Sequence, residues 1–378
     1  MVPNDIEKIL FSGKKIYGKP YDLGGLLPLY ENLLKSFTLD GLRLLPPELV
    51  VYSSYNKEIV TKYLLSKPDN TASAYLLFDT HLLDLLGEFT EAFLASRHAE
   101  SLTQKLTYQL LAEEMYISGK LHESLHFAYQ YRASKSMVQF TEERNTAMAR
   151  HLLVQEAFVL CHELTHWYLF RCDKAERDRY MKFKRDLWVQ YLNDLISGRV
   201  HKGDAKGIAL LSEMKEHIQT CDAIVEEISC DTFAAMYLVE YFSEINGYTK
   251  VDIAVSSFLC VQNLQMLSFL EHGLGTSKEG KPQTEWLAFN MTLRMILYKH
   301  HISVYFANYA KEIVKQFNDE ITQCKETYDE RVFSPFIGIT NKAQNEIRQL
   351  RLLPHVSFLD DDYAAMDTLI RGLLKRAE

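Results

Sequence analysis

Apolar residues cluster in two short runs early in the chain and then settle into helical spacing over most of its remaining length. Glu48 to Ser53 (Glu-Leu-Val-Val-Tyr-Ser) and Ala72 to Phe78 (Ala-Ser-Ala-Tyr-Leu-Leu-Phe) carry β-branched and aromatic residues and are bounded by Pro47 and by the polar run Lys67 to Thr71. Segments of this kind are expected to be strands. Beyond Asp79, the positions Leu82, Leu83, Leu85, Leu86, Phe89, Phe93 and Leu94 mark one face of a helix, because residues three and four apart share a face. A long helical pattern runs from Thr141 to about Phe170. Others come at about Ala205 to Ile218, Asp222 to Asn246, Asp252 to His272, Trp286 to Tyr328, Asn341 to Leu352 and Tyr363 to Lys375. Asn246-Gly247 and Gly273 supply helix stops, and Thr276 to Gln283 reads as a polar loop. The pattern predicts an α+β protein that is predominantly α-helical, with a small N-terminal sheet.

The chain has 378 residues, 47% of them hydrophobic, enough for a large buried core. No Pro/Gly/Ser-rich linker divides it. The expected organisation is a main domain over 1–250, with an insertion at about 88–142, and a helical C-terminal part over 251–378 packed on it. The net charge of −8 and the scattered Lys and Arg residues offer no cationic stripe, so no nucleic-acid partner is expected. No run reaches the ~18 apolar residues of a membrane span, and Met1-Val2-Pro3-Asn4-Asp5 lacks the layout of a signal peptide. A cytoplasmic setting is expected. The six cysteines (Cys161, Cys172, Cys221, Cys230, Cys260 and Cys324) form no Cys-x-x-Cys pair and read as free thiols. Any metal is then left to histidines and carboxylates.

The long helical pattern contains Cys161-His162-Glu163-Leu164-Thr165-His166-Trp167. Two histidines four apart lie one turn apart on one helical face, where both imidazoles can reach one tetrahedral Zn²⁺. Glu163 is expected as the general base acting on a water at that ion. The pattern occurs twice, for His122-Glu123-Ser124-Leu125-His126 repeats it. That copy comes after Ser118-Gly119-Lys120 and falls at a helix start, whereas the copy at His162 has several apolar turns before it, as a rigid site requires. His162 and His166 are therefore the expected ligands, and His122 and His126 ordinary, partly exposed helix residues.

A third ligand is expected from Val225-Glu226-Glu227-Ile228-Ser229-Cys230-Asp231. Glu227 and Asp231 share a helix face, so Glu227 can bind the metal while Asp231 receives the far nitrogen of a ligand histidine, with His162 the nearer choice. Ile224, Val225, Ile228, Phe233, Ala234 and Ala235 surround the acids with apolar residues, and a buried carboxylate needs a partner. Glu226 is the alternative ligand. His300, His301 and Tyr305 are candidates for stabilising an oxyanion. The strand at Tyr75 to Asp79, if it lies at a sheet edge, can receive a peptide as an added strand.

His162-Glu163-Leu-Thr-His166 followed by Glu227-Ile-Ser-Cys-Asp231 resembles the gluzincin zinc metallopeptidases, whose pattern is His-Glu-x-x-His and then Glu-x-x-x-Asp on another helix. The resemblance implies a zincin-like fold, one Zn²⁺ and hydrolysis of protein or peptide substrates. Within that class, Glu48-Leu-Val-Val-Tyr, then Ala74-Tyr-Leu-Leu-Phe-Asp-Thr-His-Leu-Leu-Asp-Leu-Leu86, then the motif is similar to the endopeptidases that trim prenylated or misfolded membrane proteins. The bacterial phage-exclusion peptidases share the motif type. The likeness covers about Glu48 to Tyr241; that family's membrane-spanning helices are absent, and Glu88 to Glu142 is an insertion. Two other readings use the same residues. One is a restrained or non-catalytic relative that works through a regulatory protein partner. The other is a di-iron bundle built on Glu123-x-x-His126 and Glu163-x-x-His166.

Overall fold

The computed structural model describes residues 26–37, 48–52, 62–65, 74–134, 141–243, 247–273, 283–352 and 360–374. Helix α1 (Leu26–Ser36) precedes three strands, β1 (Glu48–Tyr52), β2 (Lys62–Leu65) and β3 (Ala74–Asp79). Then come α2 (Thr80–Leu94), α3 (Ala99–Ile117), α4 (Leu121–Ala133), α5 (Glu142–Arg171), α6 (Lys174–Val200), α7 (Ala205–Thr220) and α8 (Asp222–Ser243). The chain continues through α9 (Lys250–Gly273), α10 (Gln283–Ala307), α11 (Lys311–Tyr328), a π-helical link at Asp329–Phe333, α12 (Ser334–Leu352) and α13 (Asp360–Leu374). The protein is predominantly α-helical. Of the loop expected at Thr276 to Gln283, all but Gln283 lies outside the described residues, as does the chain's first segment.

The sheet has the order β1-β3-β2, with β1 parallel and β2 antiparallel to β3. Leu76 and Phe78 of β3 are buried. The condition under which Tyr75 to Asp79 could receive a peptide is not met: β3 is central, paired on both sides, so neither of its edges is open to an added strand. β2 falls in a stretch with no alternation long enough to read as a strand. Asp79 ends β3 and caps α2 by accepting a hydrogen bond from the His81 backbone N–H, satisfying one of the donors a helix start leaves open.

Helix α5 is the axis of the fold. Its second half is buried almost continuously from Val154 to Leu169, with α1, α2, α8 and α9 packed around it. Thr141 caps it, the side chain accepting from Arg144 N. A buried carboxamide chain pins three of these helices: Asn263 Nδ2 of α9 donates to Gln155 Oε1 at 3.1 Å, and Gln155 Nε2 donates to Thr90 Oγ1 of α2 at 3.0 Å. Helix α9 contains a window, Lys250–Leu270, long and apolar enough to cross a membrane, and 83% of that window is buried inside the fold. The main apolar cluster extends from Tyr30 to Leu374 and takes in residues on both sides of position 250.

Two helices differ from the pattern read along the chain. The stretch Trp286 to Tyr328 is two helices, not one: the chain reverses at Asn308–Ala310, and α11 folds back so that the Phe306 and Phe317 rings meet at 5.2 Å. Neither Gly nor Pro marks that turn. Helix α6 buries only Met181, Lys184, Trp188 and Leu192, a stripe too narrow and too broken by a lysine to stand out. It pairs with α7, and together with part of α8 and α10 they form a second apolar cluster around Trp188, Met214, Ile218, Ile228 and Leu297. Trp188 has no exposed surface. Trp188→Ala should therefore cost about 3–5 kcal/mol of stability, the range for emptying a large aromatic site. Urea denaturation of the full chain measures this, and a loss below about 1 kcal/mol would show that the hairpin does not depend on this residue.

Candidate metal centre

The centre forms where α5 and α8 cross antiparallel. His162 and His166 project from α5 towards Glu226, Glu227 and Asp231 of α8. His162 Nε2 lies 3.2 Å from His166 Nε2, Glu227 Oε1 lies 3.3 Å from His166 Nε2, and Glu227 Oε2 lies 3.6 Å from His162 Nε2. Donors about 2.0–2.1 Å from a tetrahedral ion are about 3.3–3.4 Å from one another. The three observed separations bracket that spacing. His162, His166 and Glu227 form a group able to hold a metal ion.

The far side of each imidazole is occupied by a carboxylate. His166 Nδ1 donates to Glu226 Oε1 at 2.9 Å, and Arg177 of α6 holds the other oxygen of Glu226 at 2.7 Å. Asp231 Oδ1 lies 3.1 Å from His162 Nδ1, an ion-pair contact whose direction is poor for an N–H···O bond. Arg294 of α10 grips Asp231 with two hydrogen bonds of 2.8 Å and reaches within 3.5 Å of Glu227. With each Nδ1 turned to a carboxylate, each Nε2 is turned to the shared position. Metal-ligating histidines are oriented in this way by outer carboxylates, which fix the tautomer and raise the basicity of the ligand nitrogen.

Burial would lower the pKa of His162, but contacts with Asp231 and Glu227 more than offset it and push it up to about 9. His166 is also raised, contacts with Cys230, Glu226 and Glu227 outweighing its burial. Burial pushes the Cys230 thiol itself up to about 12. The carboxylates go the other way. Asp231 is lowered because Arg294 and His162 outweigh its burial, Glu227 is held well below the ordinary range by His162, His166 and Arg294 despite its burial, and Glu226 is lowered chiefly by His166. Two guanidinium cations and the two histidines face three carboxylates, and with the two Nε2 atoms 3.2 Å apart one of them accepts where the other donates. A divalent cation bound there would compete with protons for those nitrogens.

The other candidates lie elsewhere. Glu163 is next to His162 on α5 and is half-buried. His301 faces Lys184 Nζ at 3.3 Å and the Trp188 ring, and the burial there, with Lys184 beside it, pushes it down to about 3. Tyr305 donates to Glu240 and lies 2.8 Å from the Tyr309 hydroxyl. Both sit on α10 beyond Arg294, by about 10 Å and 16 Å along the axis at 1.5 Å per residue, and neither joins the group as an oxyanion helper. His300 stacks on Tyr191. In the second copy of the motif, His122 is exposed in the first turn of α4 and His126 Nε2 lies 3.0 Å from Glu346 of α12. Among the described residues, the one metal-ligating group contains neither Glu123 nor His126. Arg177 and Arg294 are not among the residues that motif and spacing single out. Arg294 has a signal, a lone cation in the apolar run Met291-Thr-Leu-Arg-Met-Ile-Leu297; Arg177, inside a charged stretch, has none.

No protein-family model, curated protein or solved structure matches this chain.

Two measurements test this geometry. A folded-state pKa of about 9 for His162, above the ordinary value of about 6.5, contributes stability that is full below about 6.5 and is lost as pH rises through about 9. The metal-free protein should lose melting temperature over that interval. Added divalent metal should do the reverse, its stabilisation growing with pH because imidazole must shed its proton to bind; a melting temperature indifferent to metal across the whole range would remove the group from consideration. Arg294→Gln leaves Asp231 buried without its cation and should cost about 3–5 kcal/mol. The double variant Arg294→Gln/Asp231→Asn should lose less than the two single variants together, and a loss equal to the sum of the Arg294→Gln and Asp231→Asn losses would mean that the pair is not coupled.

Proposed function

We propose that this protein is a zinc-dependent endopeptidase of the gluzincin type, acting on protein or peptide substrates in the cytoplasm. The observation that supports it most is the convergence of His162 Nε2, His166 Nε2 and the Glu227 carboxylate on one position, with both Nδ1 atoms facing carboxylates. Two imidazoles and one carboxylate are the donor set of catalytic zinc sites, which leave the fourth position for water. Glu227 is preferred to Glu226 as the third ligand because Glu226 is engaged by His166 Nδ1 and Arg177.

When bound, Zn²⁺ supplies a Lewis acid for the scissile carbonyl and a water acidified towards neutral pH. Glu163, beside His162 on α5, would accept the proton of the attacking water on its carboxylate and return it to the leaving amine. Asp231 holds the His162 ring, and Arg294 holds Asp231. In this reading the substrate aligns along β2 rather than β3. Among the described residues β2 is paired on one side alone, and it packs against α5, so an added strand would run beside the motif helix.

Glu163→Gln should abolish cleavage of casein or of a peptide library and leave zinc content unchanged. His162→Ala and His166→Ala should lose the zinc itself. Elemental analysis of the wild type should find one zinc per chain; two irons would favour the bundle reading. Activity that survives Glu163→Gln, or zinc lost with it, would overturn the role given to that residue.

A further inference from the structure

We infer that Arg177 is a positioning residue, the solvent-reachable latch through which the α6–α7 hairpin sets how tightly the metal group holds its ion. The inference rests on the zinc reading proposed for this centre. The two ligand histidines are braced by arms of the same kind, an imidazole, a carboxylate and an arginine, but the arms are unequal. In the first, Arg294 makes two 2.8 Å hydrogen bonds to Asp231, whose side chain has no exposed surface. In the second, Arg177 makes one 2.7 Å contact to Glu226; its side chain is 39% exposed and that of Glu226 21%. An ion pair open to water is screened by salt, and a buried one is screened much less.

The arms also belong to different parts of the molecule. Arg177 stands near the start of α6, whose buried apolar residues Met181, Trp188 and Leu192 belong to the cluster around Trp188, with Tyr180 touching both that cluster and the main core. His166 lies on α5, between the main-core residues Leu164 and Trp167. The hairpin packs on α8 through Ile224, Val225 and Ile228, which flank Glu226 and Glu227, and the chain Arg177, Glu226, His166 is its polar link to the metal group. If the Arg177 contact opens, Glu226 loses the charge that holds its second oxygen. The His166 ring then loses the support that aims Nε2 at the ion. Removing an outer partner of this kind weakens metal binding by about 10–100-fold, and here the fold should survive it, because no buried carboxylate is stranded.

Competition with a chromogenic chelator would give the zinc dissociation constant of the full-length chain for wild type, Arg177→Met, Arg177→Lys and Glu226→Gln, each at about 0.05 M and 0.5 M salt, where screening lengths differ severalfold. Arg177→Met should weaken zinc binding by about 10–100-fold while the metal-free melting temperature stays at the wild-type value. Arg177→Lys should restore part of the affinity, since it keeps the charge. Added salt should weaken zinc binding by the wild type and much less by Arg177→Met. Glu226→Gln, which can still accept from His166 Nδ1 but has no charge for Arg177 to hold, should share the loss and the flat salt response. Wild-type affinity in both Arg177→Met and Glu226→Gln would overturn the inference, and so would a salt dependence equal in wild type and Arg177→Met. A wild type that binds no zinc would overturn the zinc reading as well, which separates the two failures.

Discussion

The bidentate pairing of Arg294 with Asp231 is the contact on which the geometry of the centre depends. Asp231 lies on the face of α8 packed against the body, without exposed surface. A carboxylate there is tolerable only when its charge is compensated and its lone pairs are used. Arg294 does both from α10, and the remaining direction of the carboxylate is turned to His162 Nδ1 on α5. Three helices are thereby held in one register. A shift of one residue in any of them turns its side chains by about 100°, strands a buried charge and dissolves the site, so the pair selects a packing more than it adds net stability.

The rest of the fold keeps that crossing rigid. Helix α5 is surrounded over its second half, so His162 and His166 are carried on a backbone that cannot fray. The Asn263, Gln155 and Thr90 chain fixes α2 and α9 against it about two to three turns before the histidines. On the other flank, α1 adds the Tyr30 hydrogen bond to Glu156 and the Phe37 ring against Tyr168. The sheet is small, and its part is to deliver Asp79 as the cap of α2 and to set β2 beside α5.

Much of this was legible in the residues, and the limits have physical causes. Periodicity places Glu48–Tyr52, Ala74–Asp79, α5, α7 and α8 within a few residues of their observed bounds, because each carries a broad apolar face or a clear stop. The spacing of His162, His166, Glu227 and Asp231 is local to two helices, so the residues that meet could be named from the chain. Arg177 and Arg294 act across 49 and 63 residues, a separation at which helical spacing says nothing about who faces whom. The same holds for β3, whose central place is decided by β2, a four-residue strand with no pattern of its own. Tyr305 and His301 were sound by residue type, yet α10 turns them to Glu240 and Lys184 instead.

The two copies of the motif show what the five letters do not contain. At His162 the opposing helix supplies three carboxylates, two arginines stand behind them, and the ligand nitrogens face one another across a space the size of an ion. The carboxylates that face both imidazoles raise their pKa values, so protons and a divalent ion compete for the same nitrogens. At His126 the ring faces Glu346, with side chains 30% and 23% exposed. Water can solvate that pair, and no buried charge is stranded there. Whether a His-Glu-x-x-His is placed so that it could hold a metal ion is thus decided by the helix across from it, through the burial of its acids and the arginines that make that burial tolerable.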